Sequence, residues 1–204
     1  MTDVSPSAAY RPSVVTFLDI LGFREIVRDR SASEVRAIID VVRRFGTPDP
    51  DIDAAPEGFE TTASVAFSDS IVRVRAYDTD YPSGALFHEV ISLVHLQAEL
   101  IAHDVLVRGG VTVGNAYVQD DIAFGPAFNR AYELESKVAN SPRIVLGPEV
   151  FQALRNDERL WAEHHDLADE VYYQRRMLKR GDDGLWYVDY LYAAYEEVDE
   201  PESY

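Results

Sequence analysis

An α+β fold with a ferredoxin-like βαββαβ core and C-terminal extensions is predicted for this 204-residue chain, and three observations predict it. Residues 14–18 form a short apolar run with two valines and a phenylalanine, the pattern of a buried strand. Residues 31–45 and 83–103 repeat apolar side chains at helical spacing. Between them, 60–67 and 70–77 carry β-branched and aromatic residues on either side of a Ser68-Asp69 turn. Read in order with a strand over 105–113, they give strand, helix, hairpin, helix, strand. The length suits one domain, and 47% hydrophobic with 11% aromatic residues is ample for a core. We expect an arm over 1–12, one domain over 13–195 and an acidic tail over 196–204.

The elements can be justified in turn. Residues 1–12 hold two prolines and small residues without periodicity, so they read as a disordered arm. The first strand runs into Asp19 and then Gly22, a strand that meets a carboxylate and a strand-to-helix turn. Ser31 and Glu34 have the spacing of a capping box, and Val35, Ile38, Ile39, Val42 and Phe45 line one face before Gly46. In 83–103, Leu86, Val90, Leu93, Val94 and Ile101 share a face. A further strand is expected over 116–118. Gly125-Pro126 then opens a helix to about Ala139, because proline tolerates the first helical position. A strand over 143–146, a helix over 148–154 and two strands over 171–178 and 185–192 complete the chain.

Charge and composition narrow the function. Thirty-six acidic against nineteen basic residues give a net charge of −17, which repels nucleic acid and anionic lipid. The acids in 49–60 and 196–202 read as solvated loop and tail. Zero cysteines exclude disulfide scaffolds, thiolate metal sites and thiol nucleophiles, and fit a cytoplasmic protein. No run reaches the roughly 18 apolar residues of a membrane span, and the first residues lack the basic-then-apolar order of a secretory signal.

Several motifs are excluded by their details. Gly109 to Gly114 has the spacing of a phosphate loop without the Lys-Ser or Lys-Thr of a Walker loop, so its glycines point to close packing or a bulge. His88, His95 and His103 are seven and eight residues apart on a helix, roughly 10 Å between neighbours, too far for one metal. His164-His165 lies in a loop, and no Gly-x-Ser-x-Gly is present. Asp19 and Asp69 remain. Asp19 interrupts the most apolar strand, where an unpaired buried carboxylate is costly, so it needs a partner or a cation. Asp69 lies at the tip of a hairpin that this fold places beside the first strand. Two readings stand: an oxygen-ligand site for magnesium or manganese, or a turn cap and an ordinary hairpin residue. The turn over Ile20, Leu21, Gly22 and Phe23 offers backbone amides to a phosphate, which would suit a nucleoside triphosphate.

Taken together, four motifs over roughly residues 14–146 resemble the class III nucleotidyl cyclases. Phe17-Leu18-Asp19-Ile20-Leu21-Gly22-Phe23 resembles the first metal motif, and Phe67-Ser68-Asp69-Ser70 the second. Arg108 to Gly114 is similar to the family's strand ending in glycine, and 124–136, with Asn129 and Leu134-Glu135-Ser136, to its Trp-Gly, Asn and Leu-Glu-Ser helix. In size and wording the chain is similar to the stand-alone cyclases of bacterial Pycsar antiphage systems, which make cyclic CMP or cyclic UMP. The resemblance implies a class III cyclase palm in which Asp19, the Ile20 carbonyl and Asp69 hold two divalent cations, Mg2+ or Mn2+. It implies that amides of Leu21, Gly22 and Phe23 bind the β and γ phosphates and that Asn129 positions the ribose. It further implies a homodimer whose active sites are shared, Asp19 and Asn129 serving one site from different subunits.

The departures are specific. Where the family carries a transition-state arginine, four residues after the asparagine, this chain has Glu133, so Arg130, Arg143 or Arg108 would have to supply the charge. Lys179, before the last strand, is similar to a phosphate-binding lysine. The lysine of purine-specific members is missing from 61–66, which suits a pyrimidine substrate, UTP or CTP. Arg108 either contacts the base or is a structural member of its strand. Three functions stay open: an active cyclase, with a pyrimidine or a purine product; a cyclase-like domain that only binds nucleotide or a partner; and another palm enzyme such as a diguanylate cyclase, whose Gly-Gly-Asp/Glu-Glu-Phe turn is not present.

Overall fold

The computed structural model describes residues 9–46, 62–78, 84–119 and 122–197. Strand β1 (Arg11–Ile20) is central, because both of its faces are buried. Val14 and Leu18 enter the large core beneath the helices, while Val15 and Phe17 enter a second core on the opposite face. That two-sided burial is why the run is apolar without alternation. A short helix α1 (Phe23–Asp29) and then α2 (Ala32–Gly46) follow. The capping box is formed: the Ser31 N–H donates to the Glu34 carboxylate at 2.8 Å, and the Glu34 N–H to the Ser31 hydroxyl at 3.3 Å.

Strands β2 (Thr62–Phe67) and β3 (Ser70–Ala76) form the hairpin, with Ser68 at φ 55 in its turn. Helix α3 (Ala85–Ile101) packs Leu86, Val90, Leu93 and Val94 into the large core. It leads to β4 (Val107–Gln119), which is one strand across the two segments expected over 105–113 and 116–118. The antiparallel order β2-β3-β1-β4 is the ferredoxin-like core. Strand β5 (Ile122–Phe124) folds back on β4, and helix α4 (Pro126–Glu133) crosses the second face, where Ala127 and Ala131 meet Phe17 and Ala116. The helix expected to Ala139 changes pitch: Leu134–Val138 is a π-helical turn, closed by the Ala139 N–H on the Leu134 carbonyl at 2.8 Å.

Strand β6 (Ile144–Leu146) pairs in parallel with β4, and helix α5 (Pro148–Asn156) follows. The strand expected over 171–178 is overturned: Leu167–Met177 is helix α6. Asp166 caps it, accepting from the Ala168 and Asp169 amides at 2.7 and 3.0 Å, and this cap outweighs the strand propensity of Val171-Tyr172-Tyr173. The strand expected over 185–192 is also corrected. Strands β7 (Leu178–Arg180) and β8 (Trp186–Val188) form a small hairpin, and helix α7 (Tyr190–Glu197) takes over after it. The full sheet order is β2-β3-β1-β4-β6-β8-β7. Of the arm and the tail, Arg11 and Pro12 are already in β1 and Glu196 and Glu197 are in α7; residues 1–8 and 198–204 lie outside the described residues. The acidic stretch over 49–60 also lies outside them. No described helix is long and apolar enough to cross a membrane.

Candidate active site

Asp19 and Asp69 come together because β1 and the hairpin are neighbours. Asp19 is the Cα partner of Ser70, and the Ile20 N–H donates to the Asp69 carbonyl at 3.1 Å. The Ser70 hydroxyl donates to Asp19 Oδ1 at 3.0 Å. Burial pushes the Asp19 carboxyl above the ordinary aspartate value; Ser70 opposes this, Asp69 adds to it by like-charge repulsion, and Arg108 opposes it. A carboxylate held this way gains from a nearby cation.

The nearest cation is Arg108, whose Nη2 lies 3.7 Å from Asp19 Oδ2 on the facing position of β4. Its stronger contacts go elsewhere: Nε and Nη2 both reach one oxygen, Glu135 Oε1, at 2.6 Å, a charge-assisted pairing. Glu135 entered the sequence reading only as part of the Leu134-Glu135-Ser136 wording, with no role of its own. It lies in the π turn beside Leu134, and both residues are buried. Close approach of this turn needs Gly110: a Cβ there would lie 2.4 Å from Leu134 Cβ and 2.6 Å from the Ala131 carbonyl. Burial pushes the Glu135 carboxyl up, Arg108 opposes the shift, and Asp19 adds to it. Arg108 therefore clamps Asp19 to the π turn, which is the structural reading of that arginine.

The turn after β1 offers less to a phosphate than its sequence implies. The Leu21 N–H donates to the Leu106 carbonyl at 2.9 Å, so that amide is already used. Gly22, at φ 70, precedes α1, and among the described residues no carbonyl takes the Gly22 or Phe23 amide.

The remaining predicted residues are spread out. Asn129 is exposed on α4. Glu133 lies between Arg130, at 3.8 Å, and Lys137, at 3.6 Å. Arg130 also donates to Glu149 Oε1 at 2.9 Å, as does Thr112 at 2.7 Å; burial raises the Glu149 carboxyl, but these donors together hold it below its ordinary value. Arg143, before β6, is paired with Asp183 and lies over the Tyr187 ring at 5.7 Å. Each candidate for the missing positive charge thus has its own carboxylate. Lys179 sits on β7, 3.8 Å from Asp189. Four strand spacings separate β7 from β1, about 19 Å, so one chain does not bring Lys179 to Asp19.

Among the described residues, no group of three or more His, Asp or Glu is arranged to hold a metal ion. Asp19 and Asp69 are two oxygen-donor side chains of the kind hard divalent cations take, and the repulsion that Asp69 adds at Asp19 is what such a cation would relieve.

No protein-family model matches the chain, and no curated protein matches it in sequence. Among solved structures, it is similar to an adenylate/guanylate cyclase/hydrolase from Silicibacter pomeroyi, with a TM-score of 0.51 at 16% identity over 89% of this chain and 98% of that one. The catalytic core of a rhodopsin-guanylyl cyclase with converted specificity, in complex with ATPαS, gives 0.46 at 16% identity over 74% and 85%. A class III adenylyl cyclase-like ATP-binding protein from Pseudomonas aeruginosa gives 0.47 at 16% identity over 86% of this chain and 43% of that protein, so this chain spans less than half of its length. The Silicibacter likeness, nearly end to end on both sides, gives the fold: an α+β fold like that of an adenylate/guanylate cyclase/hydrolase.

Proposed function

We propose that this chain is a nucleotidyl cyclase that converts a ribonucleoside triphosphate into a 3′,5′-cyclic nucleotide and pyrophosphate. The observation that carries this reading is the meeting of Asp19 and Asp69 at the end of β1, with Asp19 raised above its ordinary value by burial and by Asp69. Asp19, Asp69 and the Ile20 carbonyl would hold divalent cations, Mg2+ or Mn2+, which lower the pKa of the ribose 3′ hydroxyl and neutralise the triphosphate. In the reaction the 3′ oxygen bonds to the α-phosphorus, the bond from that phosphorus to the bridging oxygen breaks, and the hydroxyl proton leaves to solvent. The Gly22 and Phe23 amides, which no described carbonyl takes, would bind phosphate oxygens, and Arg108 would orient Asp19 from the side.

Asn129 and Lys179 would serve the same site from a second copy of the chain. The exposure of Asn129 on α4, beside the half-exposed rings of Phe124 and Tyr132, supports a covering partner on this face. UTP or CTP is the substrate we favour, because the sequence over 61–66 carries no lysine for a purine. A cyclic pyrimidine messenger would fit the antiphage role of the Pycsar cyclases that the sequence resembles. A second reading, a domain that binds nucleotide without cyclising it, is favoured by Glu133 and by the carboxylate already held by each nearby arginine.

Incubating the protein with Mn2+ and each ribonucleoside triphosphate, then resolving products by chromatography and mass, tests these readings. Cyclic UMP or cyclic CMP is the expected product, and Asp69→Ala should lower its rate by about 100-fold or more. A purine product would keep the cyclase and remove the pyrimidine assignment. Triphosphate binding without pyrophosphate release would select the binding-only reading, and full activity in Asp69→Ala would sink the metal assignment.

A further inference from the structure

The far end of the sheet holds a second feature. A cavity of about 570 Å³ opens between α5, α6 and the β7–β8 hairpin, within the range of roughly 300–1,000 Å³ typical of small-molecule sites. Its wall is apolar and aromatic: Leu154, Phe151 and Trp186 line it, the last two with ring centroids 5.5 Å apart and tilted by 48°. Trp186 pairs with Leu146, Leu146 with Val111, and Val111 with Thr16, so the cavity lies on the sheet face opposite Asp19 and Arg108.

Two features in the wall are unexplained by folding. Gln174 is 4% exposed and lines the cavity, yet neither its amide nitrogen nor its carbonyl oxygen has a hydrogen-bond partner among the described residues. A buried carboxamide left this way costs stability that a ligand would return. Arg155 and Arg175 also line it, and neither forms an ion pair with any described residue, in a chain of net charge −17. Each sits in the last turn of its helix, where a cation suits the dipole. The dipole does not account for their convergence on one cavity with an orphaned amide in its wall.

We propose that this cavity is a binding site for a small aromatic anion. Its flat apolar body lies against Phe151 and Trp186, its carboxylate or phosphate meets Arg155 and Arg175, and Gln174 bonds a polar atom within. The site is independent of cyclisation, and the proposal does not rest on it.

The test is calorimetric titration of the full chain with 2-naphthoate, 2-naphthyl phosphate and the neutral 2-naphthamide. Trp186 is the internal reporter, because Trp161→Phe leaves it as the sole tryptophan. At least one anion should bind saturably, one per chain, quench Trp186, and exceed the amide in affinity by tenfold or more. The Arg155→Glu/Arg175→Glu double variant should lose at least tenfold with its melting temperature unchanged, since both side chains are exposed. Gln174→Leu should weaken the anions while keeping or raising the melting temperature. No saturable binding, equal affinity for amide and anions, or undiminished binding in the double arginine variant would each overturn the proposal. An excess of nucleoside triphosphate should leave anion binding unchanged; competition would place the anion at the nucleotide site instead.

Discussion

The two faces of the sheet hold their charges differently. Beneath α2 and α3, Glu89 is fully buried and shared by Arg73, at 3.2 Å, and Arg75, at 3.4 Å, both guanidiniums being 4% exposed. Thr16 donates to the other oxygen of Glu89 at 2.7 Å, and Arg73 donates to the Phe45 carbonyl at 2.7 Å while lying over that ring. On the opposite face, Asp19 and Arg108 remain 24% and 30% exposed, and two carboxylates, Asp19 and Glu135, share one guanidinium with both held above their ordinary values. The first cluster is closed and rich in cations. The second is open and rich in anions, the state a divalent cation completes. Similar residue types are therefore closed off from solvent on one face and left partly exposed and short of positive charge on the other.

The largest effect should come from breaking the closed cluster. Glu89→Gln removes the shared charge from two buried guanidiniums, and a loss of about 3–5 kcal/mol is expected in urea unfolding. A loss below about 1 kcal/mol would mean that other contacts of the two arginines carry them, and the contrast between the faces would weaken. Next comes Gly110→Ala, which drives a Cβ into Leu134 and the Ala131 carbonyl. It should cost about 1–3 kcal/mol. Because it lifts the π turn, it should also part Glu135 from Arg108, which would show as a lower affinity for Mn2+ at the site. Unchanged stability would mean that the π turn moves without resistance.

These clusters also show what could be read in advance. The βαββαβ core was legible because its signals are local: the apolar run of β1, the Ser31–Glu34 cap and the hairpin turn at Asp69. The meeting of Asp19 with Asp69 followed once the fold was known. Glu135 was legible only as part of the Leu134-Glu135-Ser136 wording, and its role was hidden because nothing local in the sequence says that Arg108 of β4 will meet it. Glu89 was hidden too, since it reads as the polar position of an amphipathic helix until β3 sets Arg73 and Arg75 opposite. The strand expected over 171–178 failed where the Asp166 cap, a single side chain, outweighed a run of strand-forming residues, while that over 185–192 survives only as Trp186–Val188. The Leu21 amide was promised to phosphate by its position and withdrawn by one hydrogen bond to Leu106.

The smallest effect is the most informative about the open face. Asp19 has a folded-state pKa raised above its ordinary value, chiefly by burial, so its stabilising contribution is full below the unfolded pKa and is lost as pH rises through the folded one. At neutral pH its carboxylate therefore costs stability. Asp19→Asn removes the charge and keeps an acceptor for Ser70. Without divalent ions it should melt slightly higher at neutral pH, by no more than about 1 kcal/mol after solvent screening, or roughly 2–4 °C. The gain should vanish as pH falls below the ordinary carboxylate range, where both proteins are neutral at this position. Adding Mn2+ should reverse the order, raising the wild-type melting temperature and leaving the variant's unchanged. If Asp19→Asn instead melts lower at neutral pH without metal, Asp19 is a structural partner of Ser70 and Arg108, and the open cluster serves stability as the closed one does. A higher melting temperature coupled to lost metal response is the signature of a site kept at a cost to the fold.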